Sequence, residues 1–113
     1  MDCIFCKIAA KEIPSKLVYE DDKVLAFRDI NPEAPTHILI IPREHIETVN
    51  DLKAKNAGLV GKLHLVAKEL AAKEGLAERG YRLVLNCGPE AGQAVFHLHL
   101  HMLGGRKMTW PPG

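Results

Sequence analysis

The chain has almost no net charge: fifteen Lys and Arg against fourteen Asp and Glu leave +1 over 113 residues. Nothing in that balance draws it toward nucleic acid or an anionic membrane surface. Aromatic residues make up only 5%, and they do not alternate with basic ones, so a platform for stacked bases is absent as well. Cysteine is scarce. Cys3, Cys6 and Cys87 are an odd set in a chain whose start, Met1-Asp2-Cys3-Ile4, has neither the basic flank nor the apolar core of an export signal. A disulfide framework is therefore not expected, the thiols are open to a metal, and the expected location is the cytoplasm. No apolar run approaches the roughly 20 residues of a membrane span. Repeats, low-complexity tracts and Gly/Ser-rich linkers are missing too, which leaves one domain over residues 1–113.

What remains is an ordinary core-forming composition, 47% hydrophobic and 26% charged. Residues 4–10 suit a short helix that stops before Ile13-Pro14, since the residue ahead of a proline is pushed out of helical space. Residues 17–19 and 24–27 read as a hairpin turned at Asp21-Asp22, with Asn31-Pro32 after it. His37-Ile38-Leu39-Ile40-Ile41 is a continuous branched apolar run, as in a strand covered on both faces and central in its sheet. Between Asn56 and Gly75 apolar residues recur at helical spacing, which predicts the one long helix. Strands are then expected at 81–86 and 95–103, joined by a Gly- and Pro-containing loop. This order indicates an α+β fold: an antiparallel sheet of about five strands with one long helix on one face and a short N-terminal helix.

Six histidines stand out, three of them in His97-Leu98-His99-Leu100-His101. In an extended strand these three line one face, about 6.5 to 7 Å apart, while Leu98, Leu100 and Met102 line the core face. Like charges at that spacing disfavour protonation, so the rings are expected neutral near pH 7. A neutral imidazole held by a hydrogen bond on one nitrogen is a competent nucleophile or base toward an anionic phosphate. The preceding loop, Asn86 to Ala94, offers two glycines where backbone N–H groups can meet an anion. Cys3-x-x-Cys6 has the spacing for one tetrahedral ion, with His45 and one clustered histidine as the remaining donors; two buried reduced cysteines are the alternative. His37 either faces the cluster or is a satisfied core histidine. Asp29 either caps a turn or accepts ligand hydroxyls.

His97-Leu98-His99-Leu100-His101-Met102-Leu103 resembles the histidine triad pattern, three histidines alternating with apolar residues. The similarity runs from Ile4-Phe5-Cys6-Lys7-Ile8 through Glu12-Ile13-Pro14, Ala34-Pro35-Thr36-His37 and Ile41-Pro42 to the tail. Gly104-Gly105-Arg106 and Trp110-Pro111-Pro112-Gly113 resemble the Hint branch of the HIT superfamily. That resemblance implies a single HIT domain whose sheet continues across a homodimer. The activity it implies is hydrolysis of purine nucleoside phosphoramidates, of the adenosine 5′-monophosphoramidate type, with purine nucleoside monophosphate derivatives as ligands. It makes His99 the nucleophile, supported by His101 and His37. Asn86, Gly92, Gln93 and the backbone of Ala94 and Val95 correspond to phosphate-binding positions, and Asp29 to the ribose-binding carboxylate. Phe5, Ile8, Ile13, Phe27, Arg28 and Ile30 correspond to the purine pocket, and Trp110 to a tail that reaches the partner's active site. Cys3, Cys6, His45 and His97 correspond to a structural Zn²⁺ site. The chain departs at Ala94, where Hint proteins commonly carry a serine whose hydroxyl contacts the phosphate and leaving group. Competing expectations are a dinucleoside polyphosphate hydrolase and a nucleotide-binding, partner-regulating module with incidental turnover.

Overall fold

Two continuous apolar runs, residues 24–27 and 38–41, must be covered on both sides, and the architecture follows from that demand. The structure, a computed structural model, describes residues 2–113. Its elements in chain order are α1 (Ile4–Ala9), β1 (Leu17–Glu20), β2 (Val24–Arg28), β3 (Thr36–Pro42), α2 (Ala57–Lys73), β4 (Tyr81–Val84) and β5 (Leu100–Gly104). The five strands form one sheet in the order β1-β2-β3-β5-β4, with every neighbouring pair antiparallel. This is the α+β fold expected, with β3 at the centre.

Alternate residues of β2 and β3 enter different cores. Val24, Ala26, Ile38 and Ile40 pack with Leu63, Val66, Ala67 and Leu70 of α2 and with Leu98, Leu100 and Met102. Leu25, Phe27, Leu39 and Ile41 pack on the opposite face with Cys3, Phe5 and Ile8. The side chains of the two faces follow the period of two along each strand. Burying these side chains contributes roughly 1.5–3 kcal/mol each, before the entropic cost of ordering them.

Local chemistry sets the ends. Cys3 caps α1 by accepting the Cys6 N–H at its sulfur. The helix closes earlier than Ile13-Pro14 requires, because Lys11 takes a left-handed conformation (φ 61°) and the Glu12 N–H bonds back to the Lys7 carbonyl. The β1–β2 turn is held by Asp21, whose carboxylate accepts the N–H groups of Lys23 and Val24, the Tyr19 hydroxyl and the Lys62 ammonium of α2. These donors hold the Asp21 carboxyl well below the usual carboxylate range, against the opposing effect of burial.

The last two strands are shorter than the sequence predicts. β4 ends at Val84 instead of Asn86, and β5 starts at Leu100 instead of Val95. Register gives a reason: Ile40 pairs with Leu100, so continuation would set Leu98 opposite Pro42, which has no N–H to offer. The Leu98 N–H instead donates to the Ile46 carbonyl at 2.6 Å, and Val95 to His97 form a bend. Only His101 of the three clustered histidines therefore lies in a strand.

Candidate functional site

The bend sorts the histidines into two groups on the α1 face of the sheet. His97, fully buried, turns toward Cys3 and Cys6, whereas His101 turns toward His37 and His99 lies against His101. Phe5 of α1 separates the groups, its ring edge-on to both His97 and His99 at centroid distances of 5.9 and 5.1 Å. The regular spacing expected along a strand is replaced by a tighter cluster, with His99 and His101 centroids 4.9 Å apart.

In the first group, His97 Nδ1 lies 3.3 Å from Cys3 Sγ, 3.6 Å from Cys6 Sγ and 3.2 Å from His45 Nδ1, and Cys6 Sγ lies 3.3 Å from His45 Nδ1. A tetrahedral zinc centre has edges of about 3.3 Å between nitrogens and about 3.6 Å between nitrogen and sulfur. The donor chemistry agrees with this geometry. His97 Nε2 is 2.8 Å from the Pro42 carbonyl, which can only accept, so the proton sits on Nε2 and the Nδ1 lone pair points at the cysteines. Burial, reinforced by the Cys3 thiol, raises the Cys6 thiol pKa, so two thiolates here need a cation beside them. No disulfide forms among the described residues. Cys3, Cys6, His45 and His97 together fit a zinc ion.

In the second group each ring's proton can be placed from its partners. His99 Nδ1 is 2.7 Å from the His97 carbonyl and donates to it, which leaves the Nε2 lone pair free of that bond. His37 Nδ1 accepts the Glu33 N–H at 3.1 Å, so His37 carries its proton on Nε2 and donates it to His101 Nδ1 at 2.9 Å. His101 consequently holds its proton on Nε2, which is buried and finds no acceptor among the described residues. Burial lowers the pKa of His37, His97 and His99, and with the neighbouring His99 and His37 it pushes His101 down to about 4. These shifts favour neutral rings at pH 7, but burial is the leading cause at each, and neighbouring histidine charge adds to it only at His97 and His101. Asp29 Oδ2 stands 3.6 Å from His37 Nε2, and Asp29 Oδ1 accepts the Asn31 N–H. Asp29 thus caps a turn and also faces the histidines.

The loop after β4 is closed by a single 3₁₀ turn, Pro89–Ala91, ending at Gly92, whose φ of 82° favours glycine. Gln93 staples this loop: its amide donates to the carbonyls of Glu47 and Val95 and its oxygen accepts the Gly88 N–H. Both side-chain donors of Gln93 are thereby used, and its backbone N–H bonds the Gly88 carbonyl. The backbone N–H groups of Ala94 and Val95 carry no protein acceptor among the described residues. They are among the donors this loop leaves open to an anion.

The apolar candidates divide. Phe5, Ile8 and Phe27 are buried together, with Ile13 and Val95 packed against them. Ile30 is 89% exposed and borders an open cleft of about 380 Å³ with Lys16, Arg28, Asp29, Pro32, Pro35 and His37. The Arg28 side chain is turned to α2, where it makes a bidentate pair with Glu74, both contacts 3.0 Å. Asn86 is half-buried just past β4, and Trp110 is 81% exposed, so the chain does not bring it to its own site. Sequence reasoning did not find the main-chain groups that orient the rings, the Glu33 N–H and the Pro42 and His97 carbonyls. Every residue type supplies a peptide group, so no sequence signal marks them.

Comparison with known proteins agrees with this geometry. The HIT domain family model matches residues 10–108. A 14 kDa zinc-binding protein of Zea mays is 56% identical over 112 residues, covering 97% of this chain and 87% of the maize protein. A HIT family hydrolase from Legionella pneumophila Philadelphia 1, known from a crystal structure, is 57% identical with a TM-score of 0.98, covering 99% of this chain and 100% of that one. A histidine triad protein from Clostridium difficile has a TM-score of 0.93 at 50% identity, covering 96% and 95%. With the triad, the donor cluster and the five-stranded sheet in the arrangement just described, the chain belongs to the HIT family.

Proposed function

We propose that this protein is a hydrolase that cleaves the P–N bond of purine nucleoside phosphoramidates, with His99 as nucleophile. The observation that carries the reading is the hydrogen bond from His99 Nδ1 to the His97 carbonyl, which fixes a neutral ring with its Nε2 lone pair available. Nε2 attacks the α-phosphorus, the P–N bond breaks, and the nitrogen leaves as an amine after taking a proton. His101, the neighbouring ring whose buried Nε2–H has no acceptor among the described residues, donates a hydrogen bond to the reacting phosphoramidate group, and the amine's proton comes from solvent. Water then attacks the nucleotidyl-histidine, gives up a proton to solvent, and releases the nucleoside monophosphate and the free His99 Nε2. The open N–H groups of Ala94 and Val95 support charge developing on the phosphoryl oxygens. Asp29 accepts the ribose hydroxyls, and the cleft beside Ile30 takes the base. Ala94 supplies no hydroxyl to the leaving group, which leaves His101 Nε2–H as the side-chain hydrogen-bond donor beside the nucleophile.

The test is direct. Adenosine 5′-monophosphoramidate should be hydrolysed, and rapid acid quench should reveal an adenylyl adduct on the intact protein that maps to His99. Turnover of dinucleoside polyphosphates in preference to phosphoramidates would move the assignment to that class. Tight nucleotide binding without turnover of either would make the protein a binding module.

Zinc held by Cys3, Cys6, His45 and His97 has a structural role in this reading. It ties α1, the segment after β3 and the bend before β5 together, and it supplies cross-linking rather than a reaction step. The protein also acts as a homodimer. The outer edge of β4 is unpaired, Leu65 of α2 is 61% exposed, and Trp110 presents a large apolar surface on the tail. Pairing across that edge would cover it, and the tail would reach the partner's site. Sedimentation at micromolar concentration should give a dimer, and a monomer would remove this part of the reading.

A further inference from the structure

The proton on His101 is dictated from outside the histidine cluster. A main-chain N–H can only donate, so the Glu33 amide 3.1 Å from His37 Nδ1 forces the His37 proton onto Nε2. That proton points at His101 Nδ1, 2.9 Å away, and forces the His101 proton onto Nε2 in turn. Two hydrogen bonds in series thus carry the orientation of one peptide group to the ring beside the nucleophile. Asp29 Oδ2, at 3.6 Å from His37 Nε2, is beyond hydrogen-bond range and does not compete for this proton.

The Glu33 peptide lies in the irregular segment between β2 and β3, where no sheet ladder holds it. The Glu33 carbonyl, in the peptide unit that follows the one carrying the Glu33 N–H, accepts a hydrogen bond from Arg106 Nε at 3.0 Å, and Arg106 Nη1 donates to the Lys107 carbonyl. Among the described residues no carboxylate lies within ion-pairing distance of Arg106, so its guanidinium is used on main-chain oxygens alone. The other arginine guanidiniums with carboxylate partners, Arg28 and Arg43, are ion-paired. The backbone ahead of Arg106 is fitted to the same segment. Gly105 has φ 94°, and a Cβ there would sit 2.9 Å from Pro35 Cβ, two residues past Glu33. Gly105 and Arg106 therefore clamp the stretch from Glu33 to Pro35, one by close approach and the other by a hydrogen bond.

We propose that Arg106 is a positioning residue: its Nε–H anchors the Glu33 carbonyl and so holds the Glu33 backbone, whose N–H in the adjoining peptide unit sets the tautomer of His37 and, through it, leaves His101 protonated on Nε2 beside His99. The effect on rate rests on the hydrolase reading, but the effect on tautomers does not. If the clamp is lost the Glu33 amide wanders, His37 can place its proton on Nδ1, and His101 is then free to hold its own on Nδ1. A ring so protonated presents a lone pair where the reaction needs a donor.

The experiment uses the full-length, zinc-loaded protein near neutral pH. Two-bond proton–nitrogen NMR correlations of the imidazoles should show His37 and His101 as Nε2–H tautomers and His99 as the Nδ1–H tautomer. In Arg106→Ala and Arg106→Met, His37 and His101 should move toward a mixture, while His99, held by the His97 carbonyl, stays unchanged as an internal control. For adenosine 5′-monophosphoramidate, kcat should fall about tenfold with KM within about twofold, and Arg106→Lys, which keeps one donor, should restore most of it. An Nδ1–H tautomer on His37 in the unaltered protein would overturn the proposal without any variant. Variants that raise KM or lower the melting temperature while both tautomers stay put would show Arg106 to be only a loop fastener. Tautomers that shift in a protein with no phosphoramidate turnover would uphold the clamp and reject the hydrolase reading.

Discussion

Replacing His99 with alanine is expected to lower kcat for adenosine 5′-monophosphoramidate by about a thousandfold or more, on the order of 4 kcal/mol of transition-state stabilisation. The size follows from the chemistry. A covalent route divides one difficult displacement into two, and without the nucleophile neither half proceeds. His37 and His101 cannot substitute for it. The Glu33 amide occupies His37 Nδ1, and the His37 proton occupies His101 Nδ1, so neither ring offers an uncommitted lone pair next to the site. The fold should survive, because His99 contributes one hydrogen bond and an edge contact with Phe5, while both cores are built from other side chains. The variant should therefore keep a cooperative melt and most of its affinity for adenosine monophosphate. Activity above about a tenth of the unaltered protein, a loss of only ~1.4 kcal/mol, would exclude His99 as nucleophile. The adduct gives a second readout: it should be absent from His99→Ala and should accumulate where water attack is slowed.

The sequence foretold the sheet better than the site. Strands β2 and β3 are legible because burial on both faces leaves a continuous apolar run, and α2 because one amphipathic period spans it. The start of β5 is not legible, since it depends on which residue faces Leu98. That residue is Pro42, more than fifty positions earlier in the chain. The same long-range fact divides the triad. By spacing alone His97, His99 and His101 are equivalent, whereas in the fold the bend sends His97 to the cysteines, His101 to His37 and His99 against His101. Arg28 shows the reverse case. It adjoins Asp29 in sequence, but the strand alternation that buries Phe27 on the α1 face turns Arg28 to α2 and Glu74. Gln93 looks like a ligand contact by its place in a Gly-rich loop, yet its amide is consumed in shaping that loop. In each case the residue type was informative and its partner was not, because partners are set by chain geometry over tens of residues.

Removal of zinc should have the largest effect on stability. Its ligands come from four places: the cap of α1, the first turn of that helix, the segment after β3, and the bend before β5. Without a cation, two adjacent thiols, one of them with a raised pKa, face two imidazole nitrogens across gaps of 3.3 to 3.6 Å. With one, both thiols ionise, four charge-matched bonds form, and the unfolded chain has no comparable site. Free zinc at about a thousand times its dissociation constant stabilises the folded state by about 4 kcal/mol. For a domain of this size that corresponds to a fall in melting temperature of about 10 °C or more on chelation. Protein purified without chelator should carry about one zinc per chain, and Cys3→Ser/Cys6→Ser should lose both the metal and the chelator-sensitive part of the melt. Activity should decline with stability rather than ahead of it, since His97 holds the His99 ring through its carbonyl and a loosened bend releases that bond. Zinc retained at full stoichiometry in the double variant would place the metal elsewhere. An unchanged melting temperature after complete removal would deny it a structural role, whatever its ligands.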